Sequence, residues 1–287
     1  MGSTWMLLAG ASFALMGALV KLGSAWFSSQ ELVFYRSLIG LLLLLAAMTL
    51  RHGIAGGRHF FGARTGLHLR RGLVGFLAVA TFFYAVARLP LSLAITLNYT
   101  APLFLALLMP WQLNERPSRA QYATVAVGFF GVALLLRPWD SAPQDLVAGL
   151  VGLVSGALAA YAYVHVRRLG RLGEPEWRTV FWFALVSTLG ASLLAGLEGW
   201  HAPAATEHIG VLLGIGLLAT LGQLAMTRAY RKGDTVVVAA FAYSTVVFGS
   251  ILDALIFDME MPITALIGML ITVLAGIQAA RLTRSSA

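Results

Sequence analysis

Ten long apolar runs, separated by short polar turns, account for almost the whole chain. Their approximate limits are 3–24, 32–50, 72–88, 92–111, 120–137, 146–166, 178–197, 209–228, 235–257 and 263–281. Each comes close to the roughly 20 residues that a helix needs to cross a hydrocarbon core of about 30 Å. The runs are continuously apolar, without the alternation that a barrel strand requires. Only the interval 51–71 is long, so no soluble domain is inserted between spans. The pattern predicts an all-α polytopic membrane protein with ten transmembrane helices.

The pattern also repeats. Tyr99 and Tyr243 stand 144 positions apart, and the same slide pairs Ala85 with Ala229, Arg88 with Lys232 and Phe104 with Phe248. A slide of 145 then pairs Glu115 with Glu260, Pro117 with Pro262 and Gly131 with Gly276. An internal repeat of this length fixes the architecture before any single motif does. It divides the chain into five-helix units over 1–140 and 141–287. Five is odd, so the second unit enters the membrane upside down relative to the first. Inverted repeats are the common plan of secondary transporters, which place the substrate between the halves near the bilayer midplane.

Composition sharpens the membrane reading. Hydrophobic residues make up 59% of the chain and charged ones only 11%, against about 25% charged in a soluble domain. The mean hydropathy is +0.82. The net charge of +8 does not signal nucleic acid, because the basic residues sit in loops where membrane orientation explains them. With the N-terminus inside, sixteen of the twenty Lys and Arg residues fall on inner loops and flanks, Arg70 and Arg71 among them. Both termini are therefore expected in the cytoplasm. The first run, Trp5 to Val20, reads as a retained span rather than a leader, since no basic residue precedes it and Lys21 follows it. There is no cysteine, which removes thiolate chemistry and cysteine metal sites.

The arginine within span two (Phe34-Tyr35-Arg36), the short turns between spans three and four and between eight and nine, and a Glu-x-Pro after each fourth span (Glu115, Glu260) resemble the drug/metabolite transporter superfamily. More narrowly the chain resembles the EamA-type ten-helix repeat and, within it, YddG-type amino-acid exporters. That resemblance implies a bacterial inner-membrane protein with a basket-like fold. Its central cavity would be lined by spans one, three, four, six, eight and nine, and its activity would be export of small metabolites, amino acids included. Span one carries no carboxylate, unlike small four-span relatives that exchange protons there.

Polar groups within spans are costly in lipid and are read as functional by default. The substrate-binding candidates are Tyr84, Asn98, Tyr99, Tyr161, Gln223, Tyr243 and Ser244. Amides, phenols and hydroxyls can serve both ends of an amino-acid zwitterion without a buried charge. Pro102 removes a helical amide hydrogen and crowds the Asn98 carbonyl, which is expected to turn toward the cavity. Asp253, the carboxylate within span nine, is the candidate proton site. Arg36 either faces the cavity or pairs with Glu31, five residues earlier on its helix. Lys21 is expected to snorkel to the headgroups, and Glu115 and Glu260 to cap the helices that follow. The glycines of spans six and eight read as packing positions.

The expected function is alternating-access export of amino acids, aromatic or other neutral ones, with no cofactor and no metal. The expected partners are a small-molecule substrate and membrane lipid, with the protein acting as a monomer. Export of other metabolites or of drugs, a channel, and a membrane enzyme are the alternatives. The last lacks a His-Glu-x-x-His metal motif anywhere in the chain.

Overall fold

A computed structural model describes residues 4–52, 64–112, 118–137, 139, 142–232, 241–259 and 261–285. Its regular elements are helices: α1 (Trp5–Gly23), α2 (Ser29–His52), α3 (Thr65–Arg88), α4 (Leu91–Asn98), α5 (Ala101–Gln112), α6 (Arg119–Leu136), α7 (Pro143–Arg171), α8 (Glu176–Glu198), α9 (Thr206–Lys232), α10 (Ser244–Ile256) and α11 (Ile263–Ser285). Seven of these are long and apolar enough to cross a membrane, and shorter apolar stretches lie at Leu91–Leu105, Ser244–Ile256 and Ile263–Gln278. Leucines such as Leu193, Leu197 and Leu255 stand exposed on the outside of the bundle, as an acyl-chain environment allows and water does not.

Chain direction alternates from one span to the next, with α4 and α5 together making up one span. We call the end where α1 begins and α11 finishes the near end, and its opposite the far end. The principal pairings are α1 with α9, α3 with α7, α2 with α8, and α6 with α11, while α4 packs on α10 and α7. At the α6–α11 crossing, a Cβ on Gly131 would stand 2.9 Å from the Gly268 carbonyl, and one on Gly268 would stand 2.6 Å from that of Gly131. Only glycine at both places permits so close an approach. Gly152, Gly156, Gly214 and Gly216 likewise lie against neighbouring side chains or backbone, as expected, whereas Gly210 meets nothing.

The single spans expected over 92–111 and 235–257 are each interrupted. The first breaks at Tyr99–Thr100, between α4 and α5, and the second at Tyr243, immediately before α10. These are the two tyrosines paired by the slide of 144. Pro102 lies at the second position of α5, where the missing amide costs least. No proline occupies the matching place, Val246, yet the chain breaks there too. Thus the proline is not the common cause. Glu115 and Glu260 fall outside the described residues; Ser118 and Gln121 cap α6 in a reciprocal capping box.

Candidate functional site

A cavity of about 220 Å³ lies where the helix breaks meet, lined from α1 by Phe13 and Met16, from α3 by Phe82 and Phe83, and from the breaks by Tyr99 and Tyr243. The spans implied by family resemblance all contribute, and spans two and seven add Arg36 and Phe183. Asn98, Tyr99, Gln223 and Tyr243 reach the cavity from α4, the α4–α5 break, α9 and the turn before α10. The two tyrosines tie the breaks together. Tyr243 donates its hydroxyl to the Tyr99 carbonyl at 3.1 Å, the Tyr99 hydroxyl pairs with Thr245 Oγ1 at 3.0 Å, and their rings lie 5.7 Å apart. Gly276 of α11 lies under the Tyr243 hydroxyl, where a Cβ would overlap it. Asn98 Nδ2 donates to Ser155 Oγ at 3.0 Å, leaving its amide oxygen as the acceptor on that wall. The Asn98 carbonyl does not follow expectation: it packs against Gly156 of α7, 3.2 Å from where a Cβ would stand.

Three other candidates do not line this cavity. Tyr84 stacks under Arg88, whose guanidinium carbon is 3.6 Å from the ring centroid. Tyr161 faces a separate apolar groove with Phe104, Leu108 and Tyr122, while Tyr163 takes the cavity position. Two residues along a helix turn a side chain by about 200°, so choosing between these tyrosines means choosing opposite faces. Ser244 packs against Gly10 of α1, and its neighbour Thr245 is the cavity residue.

Arg36 and Arg71 both line the cavity: Arg36 takes the first of its two expected places, and Arg71, expected on an inner loop or flank, joins it. Glu31 does not pair with Arg36, since its carboxylate accepts from the Ser28 amide at 2.7 Å and from the His201 amide at 2.5 Å. Arg71 is not a loop residue, because α3 begins at Thr65 and carries it almost two turns into the helix. A hydropathy window trims a span at its first charge and so hides such a residue. The guanidinium carbons of Arg36 and Arg71 lie 5.5 and 4.7 Å from the centroid of the Phe183 ring. Each such contact contributes about 1 kcal/mol, and Nε of Arg36 and Nε and Nη1 of Arg71 are buried without a hydrogen-bond partner.

Asp253 stands apart from the cavity, at the far end. It is 1% exposed and accepts from the Leu91 amide at 2.8 Å, the Ser92 amide at 2.7 Å and the Ser92 hydroxyl at 2.5 Å. Pro90 provides no side-chain cap for α4, so a carboxylate from α10 caps that helix in trans, anion against the positive end of its dipole. Gly249, one turn earlier on α10, allows the approach: a Cβ there would stand 3.3 Å from Ser92 Cα. Lys21 completes the arrangement. Instead of snorkelling, its Nζ donates to the Leu89 carbonyl at the end of α3 at 2.5 Å and lies 5.3 Å from the Phe257 ring centroid. The turn 89–92 is therefore held by a cation on a helix C-terminus and an anion on a helix N-terminus. Among the described residues no cluster of three metal-ligating side chains occurs.

The EamA-like transporter family model matches residues 1–137 and again 146–277. A pseudopaline exporter of Pseudomonas aeruginosa is 35% identical over 243 residues, covering 85% of this chain and 83% of that protein. An uncharacterized transporter of Helicobacter pylori is 29% identical over 96% of this chain and 93% of its own length. A riboflavin transporter of Vibrio cholerae is 25% identical over 96% and 91%. A solved crystal structure superposes over all of both chains with a TM-score of 0.66 at 18% identity, a likeness of fold.

Proposed function

The chain belongs to the EamA-like transporter family, and from that premise we propose that it exports amino acids, or metabolites built from them, by alternating access. The observation that carries this reading is the pair of helix breaks, Tyr99 and Tyr243, meeting across one cavity from positions 144 apart in the chain. Interrupted helices at a repeat interface are how carriers expose backbone and polar side chains to cargo near the midplane. The two units, 1–140 and 141–287, are read as an inverted pair whose exchange of roles opens one end and closes the other.

The near end is assigned to the cytoplasm of a bacterial inner membrane by its arginines. The cavity then lies on the cytoplasmic side of the Asp253–Ser92 clamp, and this conformation faces inward with its outer end sealed. The exporter name of the Pseudomonas relative supports the outward direction. The protein acts as a monomer, since each chain contains a whole cavity. Asp253 is read as part of the seal rather than as a proton carrier, because both carboxylate oxygens already hold partners.

Uptake of labelled amino acids into liposomes containing the purified protein, with and without an imposed pH gradient, tests the reading. Saturable flux that needs no gradient is expected. No amino-acid flux in either condition overturns the cargo, and flux that requires the gradient overturns the structural role given to Asp253.

A further inference from the structure

The cavity contains more positive charge than a neutral amino acid accounts for. Arg36 and Arg71 flank one ring, Phe183, so their guanidinium carbons are at most about 10 Å apart, the two ring distances of 5.5 and 4.7 Å end to end. Among the described residues the lining includes no Asp or Glu to neutralise either. Three of their nitrogens are buried without a hydrogen-bond partner. Gly75, one turn after Arg71, makes the room: a Cβ there would overlap the Arg71 guanidinium and stand 2.9 Å from the Phe183 ring. A bare cation within a membrane protein is costly, and two side by side repel each other. An aromatic face relieves only a small part of this. Planar guanidinium forks with free donors are suited to carboxylate or phosphate oxygens.

We propose that Arg36 and Arg71 form an anion subsite, and that the cargo bears at least two negative charges, as carboxylates or a phosphate, joined to an apolar or aromatic part. That part lies against Tyr99, Tyr243 and Phe82 on the remaining walls, with Asn98 and Gln223 serving its neutral polar groups. The inference rests on the cavity being the transport site, and it narrows the proposed amino-acid cargo to acidic, multiply charged derivatives. An ammonium group has no carboxylate to meet on the described walls, so a simple zwitterion is a poor match.

The test is equilibrium binding to the purified full-length protein of citrate, phenyl phosphate and phenylalanine, for the wild type, Arg36→Gln, Arg71→Gln, each Arg→Lys variant and the cavity-filling Ala162→Trp. At least one anion is expected to bind more tightly than phenylalanine and to weaken about 30-fold in each Arg→Gln variant, with partial recovery in Arg→Lys. Binding of citrate alone or phenyl phosphate alone selects carboxylate or phosphate as the group recognised. Phenylalanine binding as tightly as both anions, or Arg→Gln variants that bind the anions like wild type, overturns the subsite. If Ala162→Trp abolishes binding while both Arg→Gln variants leave it intact, the cavity stands and the anion subsite falls. If Ala162→Trp binds every probe normally, the transport-site reading itself fails. Unliganded melting of each variant shows that it is folded, and the Arg→Lys pair keeps the test valid where an Arg→Gln variant is not.

Discussion

Each end of the molecule is fastened by a glutamate and a histidine. At the far end Glu31, at the start of α2, accepts from the amide of His201 and pairs with its Nδ1 at 3.1 Å, just before α9. At the near end Glu174, in the turn before α8, pairs with Nε2 of His68 near the start of α3 at 3.0 Å. Each pair joins the start of the second helix in one half to the approach to, or the first turn of, the third helix in the other, but the burial is reversed. Glu31 is fully buried against an imidazole that is 61% exposed, whereas His68 is 1% exposed against a carboxylate that is 11% exposed. Glu174 also pairs with Arg178 at 2.7 Å and Arg64 at 3.8 Å, and Arg64 donates to the Leu172 carbonyl as well. The far end adds the buried Asp253 cap; by the same slide of 144, Asp253 corresponds to Met109 and Ser92 to Val236. One topology therefore carries two chemistries, a buried carboxylate seal at one end and a wetter charge network at the other. An inverted repeat can exchange shapes without making its two end states equal in energy.

Removing the strongest part of that asymmetry should have the largest effect. Asp253→Ala leaves two amides and a hydroxyl without their anion, and hydrogen bonds to a charged group contribute about 1.5–3 kcal/mol each. We expect a loss of about 3 kcal/mol in thermal unfolding and a transport rate that is lowered but still measurable, with Asp253→Asn keeping more of both. Next comes Tyr99→Phe, which cuts the hydroxyl bond between the halves and should lower transport several-fold at unchanged Tm. The matched pair Tyr161→Phe should transport like wild type, and an equal loss there would put the cargo in the wrong cavity. Glu31→Ala, which leaves the Ser28 and His201 amides unpaired, should cost about 1–3 kcal/mol, more than Glu174→Gln. The smallest effect is on pH. The hydrogen bond from His68 chiefly, then Arg178, holds the Glu174 carboxyl below its ordinary value of 4.5. A depressed carboxylate contributes stability that is fully present above its unfolded value and lost as pH falls through the folded one. Melting temperature between pH 6 and pH 3 should therefore fall less steeply in Glu174→Gln than in wild type.

The fold was legible because lipid allows few solutions: a continuous apolar run must be a helix, and ten runs in two matched sets name the architecture. The site was legible only as far as the repeat reached. Tyr99 and Tyr243 could be found because each marks the other. Composition identifies a polar helix but not which of its faces meets the cavity, so it does not separate Tyr161 from Tyr163 or Ser244 from Thr245. Arg71 was hidden by a span boundary drawn at the last charge. Asp253 was visible as a buried acid, but its partner is the N-terminus of α4, 161 positions away, and backbone amides leave no mark in a sequence.

The absence of native cysteine allows the central claim, that this seal must open in each cycle, to be tested directly. Ser92→Cys/Asp253→Cys joins α4 to α10 across the outer end, where the native side chains meet at 2.5 Å. Cross-linked protein in liposomes should show no transport, and reductant should restore the rate of the uncross-linked double variant. Undiminished flux through the cross-linked protein would contradict alternating access at this gate.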